Sequence, residues 1–403
     1  MSEKFKKGLI QVSGIITIAE LARTGLVHRN INQSMIEVIE KVFRPKHIEL
    51  HAESTHASYL TVPTQTKVMT FSTPKGSNRI MLNRAQILLK ELIFLIRWLR
   101  IIIRVKATKA DLIFITSALP ITHFLIKLTC SWLPKHTQVW LLLHGEVENI
   151  RFVGNAYYNL LAKAIKYRPQ IPNFKYVVLG DYIKANLVNA FNVPQNQVIS
   201  TTHPYQFNPH ILPKEQPMHQ QKIRFGSIGV HTSIIKSSEL IYALADTCKQ
   251  EIESGEVAFF TVGKHEPDMA SYYNQWVTNV ATSKEMLSPV AFENEIKKLD
   301  YLLFFASHDA YRFTASATML DAIKYQIPVI GIRNDSLAYF FKLGGKIGYM
   351  VENMEEMAVL IREIKQKKDL QAYAHMQHNL KNMQTFFTVD YIASQLHSTL
   401  TND

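Results

Sequence analysis

A succession of short, bare apolar runs, separated by helical patterns, constrains this chain more than any other feature. Leu9–Val12, His47–His51, Leu112–Thr116, Val139–Leu143 and Tyr176–Leu179 set the rhythm, and Ile223–Ile228, Val257–Val262, Tyr301–Phe305 and Pro328–Ile332 resume it after a break. Most show no polar alternation, so they predict parallel strands buried on both faces. Between them Gln33–Val42, Tyr182–Phe191, Ser237–Cys248 and Ala317–Tyr325 carry helical spacing. Strand–helix alternation of this kind predicts stacked βαβ units around open parallel sheets.

The break is the proline-rich stretch 203–222, which has little periodicity. It predicts a linker at 206–222 between a first domain, 1–205, and a second, 223–385, with a last helix over 386–403 packing back on the first domain. The fold class expected is α/β, two Rossmann-like domains whose parallel sheets face a cleft. Ligands of open sheets bind beyond the carboxyl ends of the strands, which makes that cleft the expected site. A chain of 403 residues needs no disulfide to fold. Its two cysteines, Cys130 and Cys248, exclude a disulfide scaffold and a cysteine-ligated zinc site. The excess of 45 Lys and Arg over 33 Asp and Glu calls for an anionic partner: phosphorylated substrate, acidic membrane or nucleic acid. The N-terminus lacks the long apolar stretch of a signal peptide, and no run reaches the length of a membrane span.

Residues 299–332 carry the most information. Asp300 and its apolar run end a strand, a polar loop follows, and a helix begins near Ser316, with Ser316 and Thr318 as cap candidates. Hydroxyl residues at a helix start leave backbone N–H groups open to a phosphate, although an ordinary cap has the same composition. The string Asp321-Ala322-Ile323-Lys324-Tyr325-Gln326-Ile327-Pro328-Val329-Ile330 resembles a segment shared by nucleotide-sugar glycosyltransferases of the GT-B type, and the retaining, family 4-like group in particular. That group has two glutamates eight positions apart, the second on the donor ribose. Asp321 falls on the second, and Phe313 falls where the first would be. The loop with Arg312 is similar to a divergent branch of bacterial polysaccharide glycosyltransferases.

The resemblance extends over residues 222–385. Ile223–Gly229, the loop through His231, and Lys236 match a strand ending in glycine, followed by cations that neutralise the leaving diphosphate. His231 stands near the place of the usual arginine. Gly263 ends a strand near the expected nucleotide, and Leu287–Phe292 resembles the turn that reads the base. The resemblance implies a donor site of Gly229, His231, Lys236, Gly263, Arg312, Ser316, Thr318 and Asp321. It implies no cofactor beyond the nucleotide-diphosphate sugar itself. No metal is expected either, because the sequence has no Asp-x-Asp triplet.

In GT-B enzymes the first domain takes the acceptor. His144 and Glu146, split by Gly145, stand at the end of the apolar run Leu141–Leu143 and are the catalytic candidates, though a strand-end histidine is as often structural. Asp181 reads as a helix cap. Gly14, in a loop after the first run, and His51 are acceptor-side candidates. Residues 84–109 hold seven basic residues against Glu91 alone, with Lys90, Arg97, Arg100 and Arg104 inside about 80° of one helical face. This predicts either docking on an anionic membrane or a core helix with one wet face.

The function expected is transfer of a sugar to a glycan or lipid-linked acceptor in surface polysaccharide assembly, in the cytoplasm or on the inner face of the cell membrane. A non-catalytic GT-B binder of carbohydrate or lipid and a sugar-nucleotide epimerase are the alternatives. A nucleic-acid partner is not expected, since the basic residues cluster on an apolar helix without a binding motif.

Overall fold

The computed structural model describes residues 14–72, 84–151, 155–207, 222–281, 287–306, 309–367 and 369–402. The run Leu9–Val12 and nearly all of the linker expected at 206–222 lie outside them. The chain divides into two compact units. One comprises Met1–Gln206, Phe313–Ala315 and Phe386–Asp403, the other Phe207–Arg312 and Ser316–Thr385.

The first unit holds seven parallel strands: β1 (Ile15–Glu20), β2 (His47–Glu53), β3 (Thr66–Phe71), β4 (Leu112–Ser117), β5 (Gln138–Leu142), β6 (Phe174–Val178) and β7 (Val198–Ser200). Their spatial order is β3-β2-β1-β4-β5-β6-β7. The second unit holds β8 (Ile223–Ile228), β9 (Val257–Val262), β10 (Val277–Asn279), β11 (Tyr301–Phe304), β12 (Val329–Ile332) and β13 (Gly348–Val351), in the order β10-β9-β8-β11-β12-β13. In both sheets the chain starts in the middle, winds to one edge, returns and winds to the other. That is the doubly wound pattern, and it opens a crevice where the winding reverses. The crevices fall beyond β1 and β4 in one sheet, and beyond β8 and β11 in the other.

Central strands are buried along their length because helices cover both faces. Every residue of β4 is buried, and β1 is buried from Ile16 to Glu20. In the second unit Phe225 stacks on Phe259 and on Tyr301, with ring centroids 5.7 and 5.5 Å apart. The edge strand β3 differs. Its residues are exposed or half-buried, so its sequence, TKVMTF, never forms a bare apolar run.

The helix Arg84–Thr108 does not carry its cations as one wet stripe. Arg97 is buried, donates to the carbonyls of Leu21 and Ser72 at 2.9 Å each, and lies 3.6 Å over the Phe71 ring. Arg104 forks onto Glu49, with its Nη2 2.6 Å from Oε1. Leu88, Leu89, Leu92, Ile96 and Ile103 are exposed instead. They fall within about 100° of arc, flanked by exposed Arg100 and Lys106.

The helix Val389–Asn402 completes the first unit. Ile392, Ala393, Leu396 and Leu400 are buried in its core, and Lys41 of the helix Arg29–Phe43 pairs with Asp390. Replacing Leu396 by Ala should cost about 2–4 kcal/mol, read as a lower urea midpoint. An unchanged midpoint would mean that this helix contributes nothing to the core.

Candidate functional site

Each crevice gathers polar side chains. In the first unit the organising group is Glu20, the last residue of β1. It is buried, and its carboxylate accepts from the amides of Ala22 (2.8 Å) and Arg23 (2.9 Å), Asn32 Nδ2 (2.8 Å), Thr116 Oγ1 (2.6 Å) and Ser117 Oγ (2.9 Å). Burial alone would raise its pKa. The hydrogen bond from Thr116, the Arg23 charge and the two amides outweigh it, so the pKa is lowered and the group stays ionised.

Above it opens a pocket of about 390 Å³. Arg23, His28, Lys90, Ser117, Glu146, Tyr157 and Tyr158 are among its walls. Arg23 Nη2 and Glu146 Oε2 lie 3.6 Å apart, and both Arg23 Nε and Glu146 Oε2 are buried without a hydrogen-bond partner. Burial raises the Glu146 pKa more than Arg23 lowers it. Glu91 closes one side by accepting from the amides of Ile121 and Thr122, the Thr122 hydroxyl and the Tyr157 hydroxyl, all at 2.7–2.9 Å.

His144 packs against His28 and His203, with ring centroids 4.5 and 5.9 Å away. Neither of its ring nitrogens has a partner. Burial first, then the neighbouring His28, holds its pKa well below the usual value, so the ring is neutral at physiological pH. A neutral imidazole there can hydrogen-bond a hydroxyl, but it adds no positive charge.

The two acceptor-side candidates lie elsewhere. Gly14 precedes β1 instead of following a strand, so it stands at the amino edge of the sheet, away from the crevice. A Cβ there would meet Asp111 Oδ2 at 2.4 Å, and that close approach accounts for the glycine. His51 sits within β2, 3.9 Å from Glu49 Oε2, and is not among the residues lining the pocket.

In the second unit the crevice beyond β8 and β11 holds a small pocket walled by Ser227, Lys236, Phe305, Ala306, Tyr311 and Thr318, among others. Lys236 ends the short helix Ser233–Lys236; the longer helix starts only at Leu240. Burial pulls the Lys236 pKa down to about 8, and the Asp321 charge works in the opposite direction. At pH 7 the ammonium is still charged. The helix Ala317–Tyr325 faces this pocket through its first turn. Its cap residue, Ser316, is fully buried, makes no capping bond, and leaves Oγ without a partner.

Three expectations need revision here. His231 is fully buried, its ring 4.7 Å from that of His265. Burial drives its pKa down to about 3, so it is neutral and does not stand in for the missing arginine. Gly229 and Gly263 hold each other: a Cβ on Gly263 would lie 2.1 Å from the Gly229 carbonyl oxygen, and their φ angles are +95° and +130°. The glycine at 263 serves this backbone contact, whereas a Cβ on Gly229 would meet Lys236 Nζ at 3.1 Å. Phe313 belongs to the first unit, where its ring lies 5.3 Å from that of Phe191 and its amide is 3.4 Å from Glu148 Oε2. Arg312, the residue before it, is half-buried and does not line the small pocket.

No protein-family model matches the sequence, and no curated protein matches it either. Solved structures do. Anabaena HepE in complex with UDP-glucose matches over 97% of this chain and 100% of its own, at 12% identity and a TM-score of 0.60. The lipopolysaccharide outer core galactosyltransferase WaaB, in apo form, matches over 96% and 98%, at 13% identity and 0.63. Sucrose-phosphate synthase from Thermosynechococcus elongatus matches over 96% and 98%, at 12% identity and 0.65. The chain has the GT-B fold.

Within this GT-B chain Glu20, Arg23 and Lys90 were not singled out from sequence. Glu20 ends a strand that competes with Leu9–Val12 for the same pattern, and Lys90 is one cation among several on its helix. A buried carboxylate at a strand end, followed three residues later by arginine, is the signal that marks the first crevice. Gly263→Ala should destabilise the protein by at least about 2 kcal/mol, because both the positive φ and the Gly229 carbonyl oppose a Cβ. Calorimetry checks this; a wild-type melting temperature would contradict the contact.

Proposed function

We propose that this GT-B chain is a glycosyltransferase that moves a hexosyl group from a nucleotide-diphosphate sugar to a glycan or lipid-linked acceptor of a surface polysaccharide. The observation that carries this reading is the second crevice. A charged Lys236 and an uncapped helix start, with Ser316 and Thr318 beside it, converge where the second sheet reverses its winding. Cations and free backbone N–H groups in that position suit a diphosphate. The fold neighbours support it: HepE was crystallised with UDP-glucose, and WaaB is a galactosyltransferase.

In this reading Lys236 and the helix N-terminus stabilise the charge that builds on the departing diphosphate. Asp321, one turn further along the same helix, takes a ribose hydroxyl. His144 and Glu146 contact the sugar or the acceptor. The chain's own groups neutralise the diphosphate, so activity should survive EDTA.

A thermal-shift panel of UDP, GDP, CMP and UDP-sugars tests the donor site. One diphosphate family at about 100 times its dissociation constant should add about 2.7 kcal/mol of stability. Lys236→Ala should abolish that shift. Lys236 loses its charge as pH rises through about 8. Binding of the diphosphate should therefore weaken about tenfold per pH unit above that point in wild type. No shift with any nucleotide would end the transferase reading in favour of a non-catalytic binder.

The exposed leucines and isoleucines of the helix Arg84–Thr108, flanked by Arg100 and Lys106, suit the surface of an anionic membrane. The chain should sediment with vesicles rich in phosphatidylserine, and Leu92→Asp with Ile96→Asp should release it. Equal sedimentation of the double variant, or a stable dimer through this face, would overturn the membrane assignment.

A further inference from the structure

We propose that the pocket beyond β1 and β4 is built for an anionic acceptor, a sugar bearing a phosphoryl or carboxylate group, with Arg23 and Lys90 holding the anion and Glu146 a hydroxyl. This rests on the transferase reading only in calling the bound sugar the acceptor.

The pocket's size, about 390 Å³, lies within the range of small-molecule sites. Its charges are unequally satisfied. Glu20 and Glu91 are not among the residues that line it, and their oxygens are taken by five and four neutral donors, described above. Lys90 and Arg23 line the same space, and burial first, then the Arg23 charge, lowers the Lys90 pKa. Lys90 has no hydrogen-bond or ion-pair partner among the described residues, in contrast to Arg97 and Arg104 on the same helix. Arg23 Nε is buried and unpartnered. The Glu20 carboxylate acts on Arg23 through its charge while its oxygens are held by other donors, and Glu146 stands at 3.6 Å, too far for a hydrogen bond, with burial favouring that carboxyl's neutral form.

An ammonium without a partner and a guanidinium with its Nε unpaired are costly in the free protein, and a ligand anion removes the cost. A guanidinium fork beside an ammonium fits the oxygens of a phosphoryl or carboxylate group. Glu146 lines the same space, and its carboxyl suits a sugar hydroxyl. Tyr157, fixed through its hydroxyl to Glu91, and Tyr158 supply flat apolar walls for a sugar ring. A neutral sugar of the same size would fill the volume and leave Arg23 and Lys90 unsatisfied, so the pocket discriminates by charge.

Calorimetric titration of the full chain with glucose 6-phosphate, glucuronate and methyl glucoside tests this. At least one of the two anions should bind about tenfold or more tightly than methyl glucoside, and their order tells phosphoryl from carboxylate. Lys90→Gln, a change at a half-exposed position, should remove most of that preference and leave methyl glucoside unaffected. Arg23→Gln should do the same. Equal binding of neutral and anionic sugars, or an unchanged preference in Lys90→Gln, would overturn the proposal. Lys236→Ala separates the two readings. It should abolish UDP binding and leave the sugar anions bound, whereas loss of UDP binding in wild type with the anions still bound would end the transferase reading and not this one.

Discussion

The buried carboxylate of Glu20 fixes the arrangement on which the first crevice depends. One anion at the end of β1 gathers donors from the loop that follows it, from the helix Arg29–Phe43 through Asn32, and from the end of β4 through Thr116 and Ser117. An ionised group in an apolar sheet is tolerated only when its oxygens are satisfied, and here five donors satisfy them. Each bond also sets a position. The turn at Ala22 and Arg23 is pinned by its own amides, so the Arg23 side chain leaves the backbone at a fixed point.

The two sheets meet the same problem with different chemistry. Each reverses its winding once, and each crevice receives the loops after its central strands. In the first sheet the crevice is wide and mixes both signs of charge around a carboxylate. In the second it is narrow, with one lysine and an uncapped helix start. Glycine is required at Gly263, where a Cβ would run into the Gly229 carbonyl. The small space sets Lys236, Ser227 and Thr318 among mainly apolar walls, whereas the wider one has Tyr157 and Tyr158 among its walls.

The parallel strands of both sheets were legible because central strands lie between two helical layers, which leaves bare apolar runs such as Ile223–Ile228 and Val257–Val262. Edge strands were not. β3 is exposed or half-buried along its length, and β7 and β10 have three residues each. β1 was not singled out, and the run that was, Leu9–Val12, lies outside the described residues. Among candidate site residues, strand-end position pointed to His144 and Glu146 and the family resemblance to Lys236; Glu146 lines the first pocket and Lys236 the second. Burial is what sequence does not show. It turned His231 into a neutral core group, drew Phe313 into the first unit, and spent Arg97 and Arg104 on internal partners. Gly14 failed for a geometric reason, since it lies at the edge of the sheet where strands begin.

The first unit recovers residues 386–402 only after the whole second unit has intervened. In terms of synthesis, the second unit is an insertion within the first. Its segments are all available while part of the first unit's hydrophobic surface, the side that Ile392, Leu396 and Leu400 will cover, is still bare. A ribosome-bound chain therefore carries an open apolar face for the time it takes to make about 180 further residues, at about 5–20 residues per second. For that interval of roughly ten to forty seconds the nascent first unit is a client for a chaperone, and the second unit can finish folding before it.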